Sequence, residues 1–147
     1  MVKGEPIIIL LVEDDLAHAE IVRRNLGEFH VANRIVHVAD GQAALDYLFH
    51  QDVYADAADN PAPNLVLLDL RLPKVDGLEV LRRIKQDDKL KGIPIVVLTT
   101  SSAKADIADS YKNGACSYLI KPISFDKFTK LIKAFGYYWL AGNRFAE

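Results

Sequence analysis

Four apolar runs of this sequence end in polar side chains that could perform chemistry. They are Glu13-Asp14-Asp15 after residues 7–12, Asp69 after residues 65–68, Thr99-Thr100 after residues 93–98 and Lys121 after residues 117–120. Continuous aliphatic runs such as residues 7–12 are typical of strands that are covered on both faces of a parallel sheet, and residues 117–120 show a weaker version of this pattern. Ligands bind at the carboxyl ends of such strands. We therefore expect these side chains to share one edge of the sheet.

The acidic members of this set predict a divalent metal site. If the first and third strands are neighbours, Asp14 and Asp69 converge, and carboxylates held together repel each other unless a cation lies between them. An all-oxygen ligand set favours Mg²⁺, and no cluster of His or Cys is available for zinc. The histidines are scattered along the chain, and we interpret them as surface or packing residues: His18, His30, His37 and His50.

Each acidic residue also has a simpler interpretation. An Asp that follows a buried strand is a common helix N-cap, so either Asp14 or Asp15 could serve only that purpose. Asp69 is a single carboxylate within the apolar residues 65–70, where an unpaired charge would be costly. Lys121, between Ile120 and Pro122, would supply its partner.

A metal, a carboxylate, a hydroxyl and an ammonium group together predict phosphoryl transfer to a carboxylate. Mg²⁺ and Lys121 would neutralise the oxygens of the migrating group, while Asp69 would attack the phosphorus in line. Thr99 would donate a hydrogen bond to a phosphoryl oxygen. Its alternative role is that of a β-branched residue at a strand end.

These side chains need a regular alternation of strands and helices to position them. Strands are predicted over residues 7–12, 35–38, 65–68, 93–98 and 117–120, and amphipathic helices over 16–28, 42–50, 78–86, 104–112 and 125–139. Helix-start signals are Asp40, Ser124 and Asp76 with Glu79 three residues later, and Asn113-Gly114 is a stop signal. The pattern predicts an α/β fold, a doubly wound (βα)5 flavodoxin-like sandwich with a parallel sheet of order 2-1-3-4-5. Residues 51–63 are expected to form a surface loop.

Composition narrows the class of protein. The chain has 147 residues, half of them apolar, and a formal charge of −2. These values fit one globular domain and argue against disorder and against sequence-independent binding of nucleic acid. The single cysteine, Cys116, indicates no disulfide framework, so we expect a cytoplasmic protein. The apolar residues 6–12 are too few to span a membrane, and the acidic residues directly after them make a poor signal peptide.

Four motifs in this order resemble the receiver domains of two-component response regulators. They are Val12-Glu13-Asp14-Asp15, the segment LLDLRLPKVDG at residues 67–77, Leu98-Thr99-Thr100 and Tyr118-Leu119-Ile120-Lys121-Pro122. The similarity covers about residues 5–135, with residues 136–147 as a helical aromatic extension of a single receiver domain. Glu13 stands at a position where Asp is also common in the family.

The resemblance implies a role for each matched residue. Asp69 would accept a phosphoryl group from a phosphohistidine of a sensor histidine kinase, in a self-catalysed reaction of a signalling protein that is not otherwise an enzyme. The magnesium ligands would be Asp14 and Asp69 directly, Glu13 mainly through water, and the backbone carbonyl of Arg71. Lys121 would pair with the phosphoryl group, and Pro122 would follow a cis peptide bond. Thr99 and Tyr118 would form a switch pair, while Arg71 and Ser101 occupy positions that tend to set the lifetime of the acyl phosphate.

Three segments, at residues 51–63, 93–101 and 135–140, resemble the stand-alone regulators that serve bacterial and cyanobacterial phytochromes. That resemblance implies a homodimer through the fourth and fifth helices and the fifth strand, with Phe135, Tyr138 and Trp139 in the interface. The apolar stripe of the fifth helix is wider than packing on a sheet requires, which favours the same surface. The alternative is that the last turn only folds over the domain.

Two other functions compete with a phosphorylation switch that acts through partner proteins. A magnesium-dependent phosphohydrolase would use an aspartyl phosphate on a related sheet, but such enzymes usually carry D-x-D-x-T after the first strand, and that motif is absent. A degenerate receiver would act as a docking module without phosphorylation. Neither of the glycine-rich nucleotide-binding motifs, GxxxxGK[ST] and GxGxxG, is present.

Overall fold

The computed structural model of this protein describes residues 6–29 and 33–145. Strands and helices alternate along the chain, as expected. The strands are β1 (Ile7–Val12), β2 (Asn33–Val38), β3 (Leu65–Leu68), β4 (Ile95–Thr99) and β5 (Ser117–Ile120). The helices are α1 (Leu16–Gly27), α2 (Gly41–Leu48), α3 (Gly77–Gln86), α4 (Lys104–Lys112) and α5 (Phe125–Gly136). A 3-10 turn (Asp52–Tyr54) and a π-helical turn (Tyr137–Gly142) complete the described elements.

The five strands form one parallel sheet in the order β2-β1-β3-β4-β5, which confirms the predicted topology. Val12 at the end of β1 pairs with Leu68 at the end of β3, so both strands finish at the same level. The strand β4 begins later than predicted. Its expected second residue, Pro94, lacks an N–H to donate to the ladder, and the N–H of Ile93 donates instead to Leu90 within a turn.

Helices cover both faces of the sheet, so the three central strands are buried on each side. The core on one face combines alternate strand residues such as Leu10 and Leu68 with α2 and α3. The core on the other face combines Leu11 and Leu67 with α1 and α5. This double burial explains why β1, β3 and β4 are continuously apolar rather than alternating.

Side-chain caps fix where the helices begin. The carboxylate of Asp15 accepts hydrogen bonds from the N–H groups of Ala17 and His18, so Asp15 is the N-cap of α1 and leaves Asp14 free for another role. Asp40, Asp76 and Ser124 cap α2, α3 and α5, as predicted. Glu79, the expected partner of Asp76, accepts hydrogen bonds from Arg82 instead. Asn113 ends α4 and Gly114 follows with φ of +104°, a conformation that favours glycine.

The C-terminal helix differs from the expected single helix over residues 125–139. Its α-helical part ends at Gly136, and residues 137–142 form the π-helical turn, in which the N–H of Asn143 donates to the carbonyl of Tyr138 at 2.6 Å. Trp139 lies on this turn with its ring centroid 6.3 Å from that of Phe135 and 6.0 Å from that of Phe145. The described chain thus ends in a group of packed aromatic rings rather than in a continued α-helix.

The segment 51–63 lies on the surface, as predicted, and is held at its end by side-chain contacts. The Tyr47 hydroxyl donates to the carbonyl of Pro61 at 2.7 Å, and the His50 ring contacts the carbonyl of Asn60 at 2.8 Å. Within the described ranges, no helix combines the length and the apolar character that a bilayer crossing requires.

Candidate functional site

Three carboxylates meet at the carboxyl edge of the sheet. The Asp69 N–H donates to the carbonyl of Val12 at 3.1 Å, which places the residue after β3 beside the residues after β1. Glu13, Asp14 and Asp69 each present an oxygen, and these oxygens lie within 4.8 Å of one another. Glu13 and Asp69 are buried, whereas Asp14 is exposed. The structure thus brings together the acidic residues that the sequence places after two different strands.

Lys121 faces these carboxylates from the end of β5. Its Nζ lies 2.5 Å from Oε1 of Glu13 and 3.0 Å from Oδ2 of Asp69, and only 2% of its side chain is exposed. The Lys121 N–H donates to the carbonyl of Thr99 at 2.7 Å, which fixes the strand end that carries the ammonium group. Both buried carboxylates are therefore paired with one buried cation.

One ammonium group leaves the three carboxylates with excess negative charge. Burial raises the pKa of Glu13 to about 7, an effect that Lys121 opposes and Asp69 reinforces. The pKa increase means that Glu13 carries a full charge only above neutral pH unless a further cation is present. Clustered carboxylate oxygens with one exposed member are a suitable donor set for a hard divalent ion that retains water ligands. The residues present therefore fit the expected magnesium ion.

His18 belongs to this site, although the scattered spacing of the histidines gave no indication of it. Lys121 Nζ donates to His18 Nδ1 at 3.1 Å, and the His18 ring packs edge-on against Phe128 with centroids 5.2 Å apart. Burial and the nearby ammonium group lower the pKa of His18, so the ring is neutral at neutral pH. The His37 ring also lies next to the site, because its Nε2 is 2.7 Å from the carbonyl oxygen of Glu13. His30 lies outside the described residues.

The loop after β3 holds Asp69 from the opposite side. The Arg71 N–H donates to Oδ1 of Asp69 at 3.3 Å, so the two Asp69 oxygens have different partners. Gly77 packs directly against the backbone here, because a Cβ at this position would lie 2.3 Å from the Asp69 carbonyl oxygen. A side chain at residue 77 would displace the loop that carries Asp69.

The expectation of a cis peptide bond before Pro122 is wrong. The peptide bond between Lys121 and Pro122 is trans, as are the other peptide bonds of the described residues. The trans form is the ordinary preference even before proline, by about 0.5–1 kcal/mol. The Lys121 ammonium group nevertheless reaches both carboxylates.

Thr99 and Tyr118, the expected switch pair, lie on adjacent strands with different surroundings. Thr99 is fully buried at the end of β4, and among the described residues its hydroxyl is the buried side-chain polar atom without a hydrogen-bond partner. Tyr118 is half-buried, and its hydroxyl donates to the carbonyl of Ser101 at 2.9 Å. A buried hydroxyl with no acceptor is costly, so Thr99 has an unused donor at the carboxyl end of β4.

The residues expected in a dimer interface lie away from this cluster, on α5 and the π-helical turn. Phe135 is buried within the protein, Trp139 is half-buried and Tyr138 is exposed. Together with residues at the start of β5 they line a groove of about 390 Å³. The groove lies along β5, which is an edge strand of the sheet.

Sequence comparisons place the chain among known regulators. Residues 9–133 match the model of the response regulator receiver domain. The chain is 47% identical over 141 residues to the probable methanogenesis regulatory protein FilR2 of Methanothrix harundinacea, covering 95% of this chain and 88% of the relative. It is 41% identical over 135 residues to the response regulator Rcp1 of Synechocystis, covering 92% of this chain and 90% of that protein.

Structural comparisons agree with the sequence comparisons. The Mn²⁺-bound form of response regulator Rcp1 superposes with a TM-score of 0.92 at 39% identity, covering 97% of this chain and 100% of the other. The phosphorylated cyanobacterial phytochrome response regulator RcpA superposes with the same TM-score at 37% identity and the same coverage. The family match spans most of the described sheet and helices, including the carboxylate edge. This chain therefore belongs to the response regulator receiver domain family.

Proposed function

We propose that this protein is a phosphorylation switch in which Asp69 accepts a phosphoryl group from a phosphohistidine of a sensor histidine kinase, with Mg²⁺ as cofactor. The observation that carries the proposal is the buried Asp69 carboxylate, held between the Lys121 ammonium group and two further carboxylates. A purely structural ion pair would not need the additional acidic residue Asp14 at this edge. The signal would pass to partner proteins through a change of surface, with no nucleic acid or membrane involved.

In the proposed reaction an Asp69 oxygen forms a bond to phosphorus while the bond between phosphorus and the imidazole nitrogen of the donor breaks. The electron pair of that bond leaves with the nitrogen, so a phosphoimidazolium donor departs as neutral imidazole and Asp69 supplies no proton. Lys121, whose Nζ lies 3.0 Å from Oδ2 of Asp69 before the transfer, would pair with the phosphoryl oxygens. Mg²⁺, when bound, would neutralise further phosphoryl charge. Its proposed ligands are Asp14, Asp69 and the Arg71 carbonyl, with Glu13 acting mainly through water.

Intact mass measurement tests this function. Incubation with acetyl phosphate and Mg²⁺ is expected to add the mass of one phosphoryl group, and omission of Mg²⁺ is expected to prevent the addition. Binding to a histidine kinase without any gain in mass would favour the alternative of a degenerate receiver that only docks. Continuous turnover of a phosphate ester would favour a phosphohydrolase.

Thr99→Val is expected to stabilise the unphosphorylated protein and to slow phosphorylation. Removing a buried hydroxyl that has no acceptor should raise the free energy of unfolding by about 1 kcal/mol. The same change removes a donor to the phosphoryl group, worth about 1.5–3 kcal/mol for a charged acceptor, so the rate should fall about tenfold or more. Urea unfolding and the time course of intact mass measure the two effects.

Thr100→Val is the matched control for that experiment, because Thr100 is the exposed neighbour of Thr99. It should change neither the stability nor the rate appreciably. Phosphorylation of the Thr99→Val protein at the normal rate would show that Thr99 is not part of the proposed site.

Magnesium binding is expected to release a proton in a narrow pH range set by Glu13. The pKa of Glu13 in the metal-free protein is raised to about 7, and bound Mg²⁺ favours the ionised form. At pH 6.5 binding should therefore expel a large fraction of one proton and be weaker, whereas at pH 8.5 it should expel almost none. Calorimetry in two buffers of different ionisation enthalpy measures the number of protons released.

Glu13→Gln is the control, because the amide cannot titrate while its oxygen can still accept from Lys121. The variant should bind Mg²⁺ without a pH-dependent proton release between pH 6.5 and pH 8.5. Equal proton release by the wild type at both pH values would contradict the role of Glu13.

We propose further that the kinase is a phytochrome and that the protein acts in the cytoplasm as a homodimer through α4, β5 and α5. The phytochrome assignment is supported by the similarity to RcpA. The dimer is supported by the apolar groove beside an edge strand and by the exposed rings at its rim. Light-dependent phosphoryl transfer from a purified phytochrome kinase would test the first point.

Tyr138→Ser is expected to weaken the dimer at least about tenfold, because exposed aromatic residues beside a groove are typical interface hot spots. Tyr137→Ser is the matched control, since Tyr137 is also exposed but packs edge-on against Phe29 of the segment after α1. Sedimentation equilibrium of both variants measures the effect. A wild-type protein that remains a monomer with and without phosphodonor would contradict the proposed dimer.

A further inference from the structure

Asp106 on α4 joins two loops that flank the carboxylate cluster. Its Oδ2 accepts a hydrogen bond from Nη2 of Arg71 at 2.5 Å and another from the Ser101 hydroxyl, also at 2.5 Å. Arg71 lies in the loop after β3, and Ser101 lies in the loop after β4. Asp106 is 9% exposed, so its charge is largely removed from water and depends on these two donors.

Each partner of Asp106 also contacts a second residue at this edge of the sheet: Arg71 contacts Asp69, and Ser101 contacts Tyr118. The backbone N–H of Arg71 donates to Oδ1 of Asp69 at 3.3 Å. The carbonyl of Ser101 accepts the hydroxyl hydrogen of Tyr118 at 2.9 Å. A continuous chain of contacts therefore leads from the phosphoacceptor through Arg71, Asp106 and Ser101 to Tyr118.

The position of Asp106 is fixed independently of these contacts. It lies in the first turn of α4, and its carbonyl accepts a hydrogen bond from the buried Ser110 hydroxyl at 2.7 Å. The Arg71 side chain is 59% exposed. Among the contacts of the described residues, the ion pair with Asp106 is what holds its guanidinium group. Loss of the Asp106 charge would release Arg71 without moving the helix backbone.

We infer that Asp106 is a positioning residue that holds Arg71 and Ser101 in the arrangement of the unphosphorylated protein, an inference that rests on the proposed function of Asp69. A phosphoryl group on Asp69 adds negative charge two residues from Arg71 and competes with Asp106 for its guanidinium group. The network stabilises only the unphosphorylated arrangement, so Asp106 opposes the change to the phosphorylated one. Removing it shifts that equilibrium towards the phosphorylated form.

Asp106→Asn tests this role, because Asn retains an oxygen that can accept from Ser101 but loses the charge that holds Arg71. The probe is beryllofluoride with saturating Mg²⁺, a mimic of the phosphoryl group that needs no donor chemistry. We expect the half-saturating beryllofluoride concentration to fall about threefold to fivefold, the size expected for a partly exposed ion pair. Asp109→Asn, on the exposed part of the same helix, should leave it unchanged.

In an Arg71→Ala background, Asp106→Asn should no longer lower the half-saturating concentration, because the ion pair that the substitution breaks is already absent. A residue that only stabilised α4 would leave beryllofluoride binding unchanged or weaken it. Additive effects of the two substitutions, or weaker binding by Asp106→Asn, would overturn the inference.

A second measurement separates this inference from the proposed function. In the unphosphorylated protein, Asp106→Ala, which also removes the acceptor of the Ser101 hydroxyl, should alter the NMR signals of the Tyr118 ring and speed hydrogen exchange of the amides at residues 101–103, whereas Asp109→Ala should do neither. A wild type that binds no beryllofluoride would contradict the proposed function alone. Unchanged Tyr118 signals and exchange rates in Asp106→Ala would contradict the positioning role alone.

Discussion

Asp69→Asn is expected to abolish phosphorylation, with a loss of at least about a thousandfold in rate, the scale typical of removing a nucleophile. The amide has nearly the same shape as the carboxylate, and its oxygen can still accept from the Lys121 ammonium group. The variant should therefore fold, yet its amide lacks the negative charge and the nucleophilicity needed to attack phosphorus. Intact mass after incubation with acetyl phosphate and Mg²⁺ measures the loss.

Asp76→Asn is the matched control for this prediction. Asp76 lies at the end of the same loop after β3, is exposed, and caps α3 through a hydrogen bond to the Leu78 N–H. Because Asn is also a good N-cap, this variant should be phosphorylated at the normal rate. Phosphorylation of Asp69→Asn at a rate within tenfold of the wild type would show that another residue accepts the phosphoryl group.

Lys121→Met is expected to lower the free energy of unfolding by about 3 kcal/mol at pH 7.5, because it leaves the buried Glu13 and Asp69 carboxylates without their cation. The methionine keeps most of the apolar stem, so the loss reflects charge rather than a cavity. Urea unfolding in the absence of Mg²⁺ measures it. The deficit should shrink at pH 5.5. Lys121 lowers the pKa of Glu13, so Glu13 of the variant takes up its proton at a higher pH than in the wild type, and the neutral carboxyl no longer needs a cation.

Saturating Mg²⁺ should also restore part of the stability that Lys121→Met loses, because a cation bound only by the folded protein stabilises it. Lys127→Met on the exposed face of α5 is the control and should change the stability little at either pH. A Lys121→Met protein as stable as the wild type at pH 7.5 would contradict the assignment of Lys121 as the cation that keeps both carboxylates buried.

The position of the site could be predicted because parallel strands end at a common edge. The apolar runs fix β1, β3 and β5, and the order of the sheet then brings Asp69 and Lys121 together regardless of their separation in sequence. Asp14 and Asp15 could not be distinguished in this way, since either can follow a strand and cap a helix. Only the hydrogen bonds from the start of α1 identify Asp15 as the cap.

The remaining features depend on tertiary packing that no local pattern encodes. His18 reaches Lys121 because α1 and α5 pack on the same face of the sheet, which also places Phe128 against its ring. Asp106 meets Arg71 across 35 positions of sequence, through the approach of α4 to the loop after β3. The π-helical turn after Gly136 carries Trp139, whose ring packs against Phe145 with centroids 6.0 Å apart, and no local pattern in the sequence predicts this turn.

The most direct test of the central claim is to locate the phosphoryl group chemically. Protein treated with acetyl phosphate, with and without Mg²⁺, is reduced with borohydride, which converts an aspartyl phosphate to homoserine, and is then digested and mapped by mass spectrometry. The proposed site predicts homoserine at position 69, formed only in the sample that contained Mg²⁺. Modification at Asp14 or another residue, or equal modification without Mg²⁺, would contradict it.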